Sequence, residues 1–113
     1  MVYSEQPFNK YVAQNVKRHL KSRISDSTVI GSNSVVGQSS IIEQSVIGSN
    51  CKIGVNVTIR RCIIWDDTEI GDNCTLEDSL VCDHVVIKHG CVLEPGVRID
   101  RNVIVKENTI LTS

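Results

Sequence analysis

Between residues 22 and 111 the apolar residues keep a beat of six. Aliphatic side chains recur at Ile24, Ile30, Val36, Ile42, Ile47, Ile53, Ile59 and Ile64, and then at Ile70, Leu76, Val81, Ile87, Leu93, Ile99, Val105 and Leu111. Every step is six residues except Ile42 to Ile47, Ile59 to Ile64 and Leu76 to Val81, which are five. Two sixes and a five make a period of 17, and lines cut at that length from residue 42 onward align almost column by column.

Two positions before each aliphatic stands a small or β-branched residue, from Ser22 and Thr28 through Cys51 and Cys62 to Val103 and Thr109. Residues two apart share one face of a strand. Each beat therefore predicts a short strand that sends two side chains inward and then turns; helical spacings of three and four do not fit. Three residues after most aliphatics come Asn33, Asn50, Asn56, Asp67 and Asn73, and later Gly90, Gly96, Asn102 and Asn108. These residue types tolerate the positive φ that a sharp corner demands. The five-residue steps lack that column, which predicts a corner tightened by deletion. Gly31, Gly37, Gly48, Gly54 and Gly71 directly follow an aliphatic and are expected on the tight side of a corner.

Three strands and three corners per 17 or 18 residues describe a triangular coil. The sixteen beats make about five coils stacked in parallel, an all-β solenoid held by contacts between neighbouring coils. The solenoid domain is expected over 24–113. Residues 1–23 lack the beat and are expected to be a cap or linker segment. Within them Val12, Val16 and Leu20 fall at i, i+4 and i+8, with Asn9 as a candidate N-cap. That spacing predicts a short amphipathic helix over 10–21 covering the first coil, after a loop holding Tyr3 and Phe8; an extended linker is the alternative.

Composition removes several classes. Only four residues are aromatic although 41% are hydrophobic, so a core built on ring packing is not expected. A net charge of −1 without long runs of one sign argues against nucleic acid and anionic membrane as partners. There is no apolar stretch near the length of about 18 residues needed to span a bilayer, and no secretory signal pattern. A cytoplasmic location with reduced thiols follows as the expectation. The five cysteines, Cys51, Cys62, Cys74, Cys82 and Cys91, have no metal-ligand spacing. Cys74 and Cys91 are expected to stack as core thiols in adjacent coils, with a disulfide between them as the alternative. Asn56 and Asn73 begin glycosylation sequons that are read as accidental.

The pattern of an aliphatic, a Gly or acid, two free positions, a Ser, Thr, Val or Cys, and one more free position resembles the hexapeptide repeat of left-handed parallel β-helices. The resemblance spans residues 22–111, and it alone implies the left hand, because β-crossovers are otherwise right-handed in about 98% of cases. More narrowly, Ser45-Val46-Ile47-Gly48, Ile64-Trp65-Asp66-Asp67 and Ser79-Leu80-Val81-Cys82-Asp83 resemble the C-terminal β-helix of the epsilon subunits of eukaryotic translation initiation factor 2B. The last coil fits epsilon; AQNVKRHL at 13–20 is similar to the gamma subunit, the second choice. The resemblance implies a scaffolding module of the guanine-nucleotide exchange factor for initiation factor 2, with its nucleotidyltransferase-like and catalytic domains elsewhere. It implies other subunits of that complex as partners, epsilon with gamma first, with self-association of the module as a further option.

The competing reading is chemical: the β-helix of a hexapeptide acyltransferase or of a sugar-phosphate nucleotidyltransferase. His84 and His89 fall at successive corners, where such acyltransferases place a general base. They lie at different corners of the triangle, however, and no long loop interrupts the repeat, so both are read as solvated. Asp66 and Asp67, with Glu77 or Asp78, are read the same way. No catalytic, cofactor-binding or metal-ligating residue is assigned, and no cofactor is expected.

The residue just before each inward aliphatic points outward. After the tightened corner these residues are Val29, Val46, Ile63 and Leu80, until Arg98 ends the series. The outward positions of the other two faces are mixed: Arg23, Ile41, Thr58, Thr75 and Val92 on one, and Val35, Lys52, Glu69, Val86 and Ile104 on the other. One face thus carries an apolar stripe about 15 Å long at the strand spacing, with Trp65 and Cys82 at the adjoining corner. An exposed apolar stripe with a polar rim predicts a protein interface.

Overall fold

The structure is a computed structural model and describes residues 10–13 and 15–113. It is a triangular parallel β-solenoid of six coils. The first coil comprises β1 (Lys10–Val12), β2 (Lys17–Arg18) and β3 (Arg23–Ile24), and the second β4 (Thr28–Ile30), β5 (Val35–Val36) and β6 (Ile41–Glu43). The third holds β7 (Val46–Ile47), β8 (Lys52–Ile53) and β9 (Thr58–Arg60), and the fourth β10 (Ile63–Ile64), β11 (Glu69–Ile70) and β12 (Thr75–Glu77). The fifth and sixth are β13 (Leu80–Val81), β14 (Val86–Ile87), β15 (Val92–Leu93), β16 (Arg98–Ile99), β17 (Ile104–Val105) and β18 (Ile110–Leu111). Every third strand joins the same sheet, giving three six-stranded sheets: A from β1 to β16, B from β2 to β17 and C from β3 to β18.

Like does lie over like. Ile47, Ile64 and Val81 are Cα partners in sheet A, and Ile53, Ile70 and Ile87 in sheet B. The inward aliphatics from Ile24 to Val105 are all buried and form one continuous core. Strand amides point toward the following coil: Val46 N–H donates to Cys62 O at 3.0 Å, and Gly48 N–H to Ile64 O at 2.8 Å. Corner amides point back, as Asp67 N–H does to Ser49 O at 2.9 Å. Together the two directions satisfy the backbone, as burial requires.

The small inward column has a second job. Ser34 Oγ donates to Gly48 O at 2.8 Å and accepts Cys51 N–H at 3.1 Å. The thiols of Cys51, Cys74 and Cys91 likewise donate to the carbonyls of Trp65, Lys88 and Lys106 at 3.2, 3.2 and 3.0 Å. Serine, threonine and cysteine recur there because each is small and can donate to a corner carbonyl of the next coil. All five cysteines are free; four are buried and Cys82 is half-buried.

Two expectations need correction. No helix occurs over 10–21 among the described residues: β1 and β2 lie there, and they add a coil to the five expected. The beat of six in fact runs back from Ile24 to Arg18 and Val12, and Val12 and Val16 suit a strand pair and a helix face equally. Leu20 decides between them, since it is 95% exposed where a capping helix would bury it. Arg18 holds an aliphatic's column at the open end of the core and bonds Ser22 O at 2.9 Å through its guanidinium. The second correction concerns the five-residue corners. They keep a left-handed residue, moved one position earlier: Gln44, Arg61 and Asp78 have φ of 50°, 52° and 47°. Gln44 and Arg61 are neither Gly, Asn nor Asp, and Asp78 stands one position early, so the column was hidden by residue type and by position. The N-cap Asn9 and the loop residues Tyr3 and Phe8 lie outside the described residues.

Burial pushes the Cys62 thiol up from 9.0 to about 11, and raises Cys51 and Cys74 as well. Since the thiolate is the reactive form, a disulfide-exchange reagent at pH 8 should titrate Cys82 alone in the native chain and all five cysteines after denaturation. The unfolded chain loses the Cys62 proton near pH 9 and the folded chain only near 11. The folded state binds more protons across that window, so the unfolding free energy should fall as pH rises through it. Denaturant titrations at pH 8, 9.5 and 11 check the sign.

Candidate functional site

The six residues singled out in the sequence fall on one side of the triangle. Val29, Val46, Ile63 and Leu80 are in register across β4, β7, β10 and β13, with Arg98 of β16 as the next partner. Val46 and Ile63 are 44% and 46% exposed, Val29 is exposed, and Leu80 is half-buried. Tyr11 of β1 pairs with Val29 and extends the register by one coil. The helix expected over 10–21 conceals that strand, which the beat run back past Ile24 reveals.

Trp65 and Cys82 stand at the corner that follows sheet A. Trp65 is 54% exposed, and its backbone is fixed from both sides: its N–H donates to Val81 O at 2.9 Å, and its carbonyl accepts the Cys51 thiol. The same column carries Gly31 and Gly48 in the two preceding coils, so no side chain precedes the indole there. A Cβ on Gly31 would lie 2.7 Å from the Gly48 carbonyl carbon, which explains the glycine by coil stacking alone.

Charged side chains border the face on both sides. Asp66 Oδ1 accepts Ser49 N–H at 2.9 Å. His84 Nδ1 lies 2.8 Å from Asp83 Oδ2, its Nε2 lies 3.6 Å from Asp67 Oδ2, and Arg101 Nη2 reaches Asp83 at 3.3 Å. The hydrogen bond with His84, aided by Arg101, holds the Asp83 carboxyl below the usual carboxylate range. At the opposite corner Arg60 bridges Glu43 and Glu77 at 2.8 and 3.5 Å, and Arg61 pairs with Asp78 at 2.8 Å. Arg61 holds Asp78 below its usual range through that hydrogen bond.

The other chemical candidates are not brought together. His89 lies at the corner between sheets B and C, away from His84. Asp66 and Asp67 follow sheet A, whereas Glu77 and Asp78 precede it. Among the described residues no group of His, Cys, Asp and Glu is placed to hold a metal ion, and no helix is long and apolar enough to cross a membrane.

Residues 8–111 match the family described as the EIF2B subunit epsilon LbH domain. The chain belongs to that family. The EIF2B epsilon LbH assignment agrees with the repeat, the corners and the Ile-Trp-Asp-Asp segment together. No curated protein sequence matches the chain.

Solved structures show the same fold in acetyltransferases. A mutant perosamine N-acetyltransferase from Caulobacter crescentus, in complex with CoA and GDP-perosamine, superposes with a TM-score of 0.70 at 13% identity, covering 94% of this chain and 54% of its own. A hexapeptide transferase family protein from Anaplasma phagocytophilum gives 0.64 at 24% identity, over 92% and 74%. The acetyltransferase domain of PglB from Neisseria gonorrhoeae, with acetyl coenzyme A, gives 0.71 at 12%, over 94% and 55%. The EIF2B-family chain thus spans about half the length of the Caulobacter and Neisseria chains. At these identities the likeness is one of fold.

As the sole tryptophan, Trp65 reports on this corner. In the free domain its fluorescence should be readily quenched by acrylamide and emit near the wavelength of hydrated indole. Emission that is already blue-shifted and shielded would contradict the observed exposure.

Proposed function

We propose that this domain is an assembly module of the guanine-nucleotide exchange factor for translation initiation factor 2, acting in the cytoplasm and making subunit contacts through sheet A. The gamma subunit is the first partner. The observation that carries this reading is the unbroken outward ladder Val29–Val46–Ile63–Leu80 beside the exposed Trp65. Aliphatic residues in register on an exposed face stabilise the molecule little until another surface covers them. Burial of each is then favourable by about 1.5–3 kcal/mol when complete, and an aromatic at the edge supplies the kind of anchor on which interfaces concentrate their energy.

Membership of the EIF2B family supports a module without chemistry of its own, and the geometry of His84 supports it further. A general base needs a ring nitrogen free to face a substrate proton. Each nitrogen of His84 faces a carboxylate instead. That arrangement suits an ion-paired corner better than an acetyl-transfer site.

Neighbouring residues provide an internal control. Ile63 points outward and Ile64 inward on the same strand. Ile63→Asp and Leu80→Asp should leave the domain folded by circular dichroism yet abolish co-purification with the gamma subunit. Ile64→Asp should unfold the coil, because it removes a buried aliphatic and strands a charge in the core. Normal complex assembly by the folded Ile63→Asp variant would refute the proposed contact.

A further inference from the structure

The charges of this chain are distributed unevenly around the triangle, and the unevenness centres on sheet A. Asp66, Asp67, Asp83 and Asp100 lie at the corner after that sheet. Asp26, Glu43, Glu77, Asp78 and Glu94 lie at the corner before it. These nine are most of the chain's 13 carboxylates; among the described side chains Arg60, Arg61 and Arg101 stand with them at the corners, and Arg98 stands on the last strand of the sheet between. Over the rest of the described molecule the balance reverses. Seven Lys and Arg side chains on sheets B and C and at the corner between them, such as Lys21, Lys52, Lys88 and Lys106, stand against Glu69, Asp72 and Glu107. A net charge of −1 for the whole chain therefore conceals a molecule with an acidic side and a basic side.

Internal pairing does not remove the asymmetry. Arg60 and Arg61 are used by Glu43, Glu77 and Asp78, and Arg101 with His84 by Asp83. Among the described residues Asp26 and Glu94 on one flank, and Asp66 and Asp100 on the other, form no ion pair, and all four are exposed. Two unpaired carboxylates thus stand on each side of an apolar ladder. A second copy docking through the same face would set acid against acid and desolvate both, a juxtaposition that costs association rather than helping it. A partner with an apolar centre and a basic rim meets the ladder and the carboxylates on both of its flanks at once, and leaves Arg98 at the end of the stripe outside the contact.

We propose that the occupant of sheet A is a different polypeptide, whose contact surface carries lysine or arginine residues on both sides of an aliphatic strip, and that the acidic corners steer it onto the stripe. This rests on the reading of that stripe as a contact surface. Trp65 adds a further place for such a cation, since an exposed indole beside two carboxylates attracts guanidinium and ammonium groups through its ring face.

The test uses the gamma subunit as probe and measures association and dissociation rates at ionic strengths from about 50 to about 500 mM, a range over which screening between exposed charges becomes strong. Association with the unmodified domain should slow steeply as salt rises. A variant combining Asp26→Asn, Asp66→Asn, Glu94→Gln and Asp100→Asn should associate about tenfold more slowly at low salt, with a dissociation rate near that of the unmodified domain. The free domain should sediment as a monomer. If Ile63→Asp abolishes binding while salt and neutralisation leave the on-rate unchanged, the contact surface stands and the charge inference falls. A low-salt dimer of the free domain that Ile63→Asp disrupts would assign the face to a second copy, and would also overturn it. If Ile63→Asp binds like the unmodified domain, or the unmodified domain does not bind the gamma subunit at all, the contact surface and the inference fall together.

Discussion

Everything in this molecule depends on one hydrogen-bond relation: each strand N–H donates to the carbonyl of the residue just before the one stacked on it in the next coil, 16 or 17 positions further on. Ile63 N–H meets Ser79 O, and Glu69 N–H meets Val85 O, at 3.1 and 2.9 Å. Strands of two or three residues have no stability alone, since pairing supplies almost all of what holds them. Because the pairing is in register, a residue type acceptable at one level must be compatible with the levels on either side. That condition turns a sequence into columns. It also explains why no aromatic ring stands in the core among the described residues: a small residue and an aliphatic per strand fill a narrow triangular prism.

The columns made most of the fold legible before any coordinates. Aliphatics at a period of 17 fix the coil, and Asn, Asp and Gly three residues later fix the corners. What stayed hidden had physical causes. Gln44 and Arg61 adopt positive φ although nothing in their residue type advertises it, and Asp78, of a tolerant type, does so one position earlier than the column predicts. The shortened corner still has to turn the chain onto the next face, and amide bonds to the preceding coil, from Gln44 to Ser25 Oγ, Arg61 to Glu43 O and Asp78 to Arg60 O, hold these residues there. Two of them compensate by pairing across levels, Arg61 with Asp78. The first coil was obscured for a different reason. With Arg18 in an aliphatic's column, its apolar content thins to Val12 and Val16, whose spacing of four fits a helix as well as two strands. Only tertiary context separates the two.

The candidate face was legible in the same terms, because alternation along two-residue strands places Val29, Val46, Ile63 and Leu80 outside as firmly as it places Ile30, Ile47, Ile64 and Val81 inside. The surroundings of the face were less accessible. That Asp83 would be shared by His84 and Arg101, or Arg60 by two glutamates, depends on side-chain reach across coils and is not contained in the beat of six. The segregation of acids to two of three corners could be read only once each corner had been assigned to its side of the triangle.

One alternative account of the stripe is that outward β-branched residues merely favour extended backbone. The last coil weighs against it. There the outward positions of sheets B and C are Ile104 and Ile110, 63% and 64% exposed, while sheet A carries Arg98. In the third and fourth coils the pattern is inverted: Val46 and Ile63 on sheet A face Lys52 and Glu69 on B and two threonines, Thr58 and Thr75, on C. The second and fifth coils carry aliphatics on all three faces, but strand propensity acts on all faces alike and has no means of choosing sheet A alone in the third and fourth coils and sheets B and C in the sixth. A surface that must be covered does have such means. Aliphatic character that follows position on the molecule's exterior rather than the needs of the strand beneath it supports the contact proposed for sheet A over a folding preference.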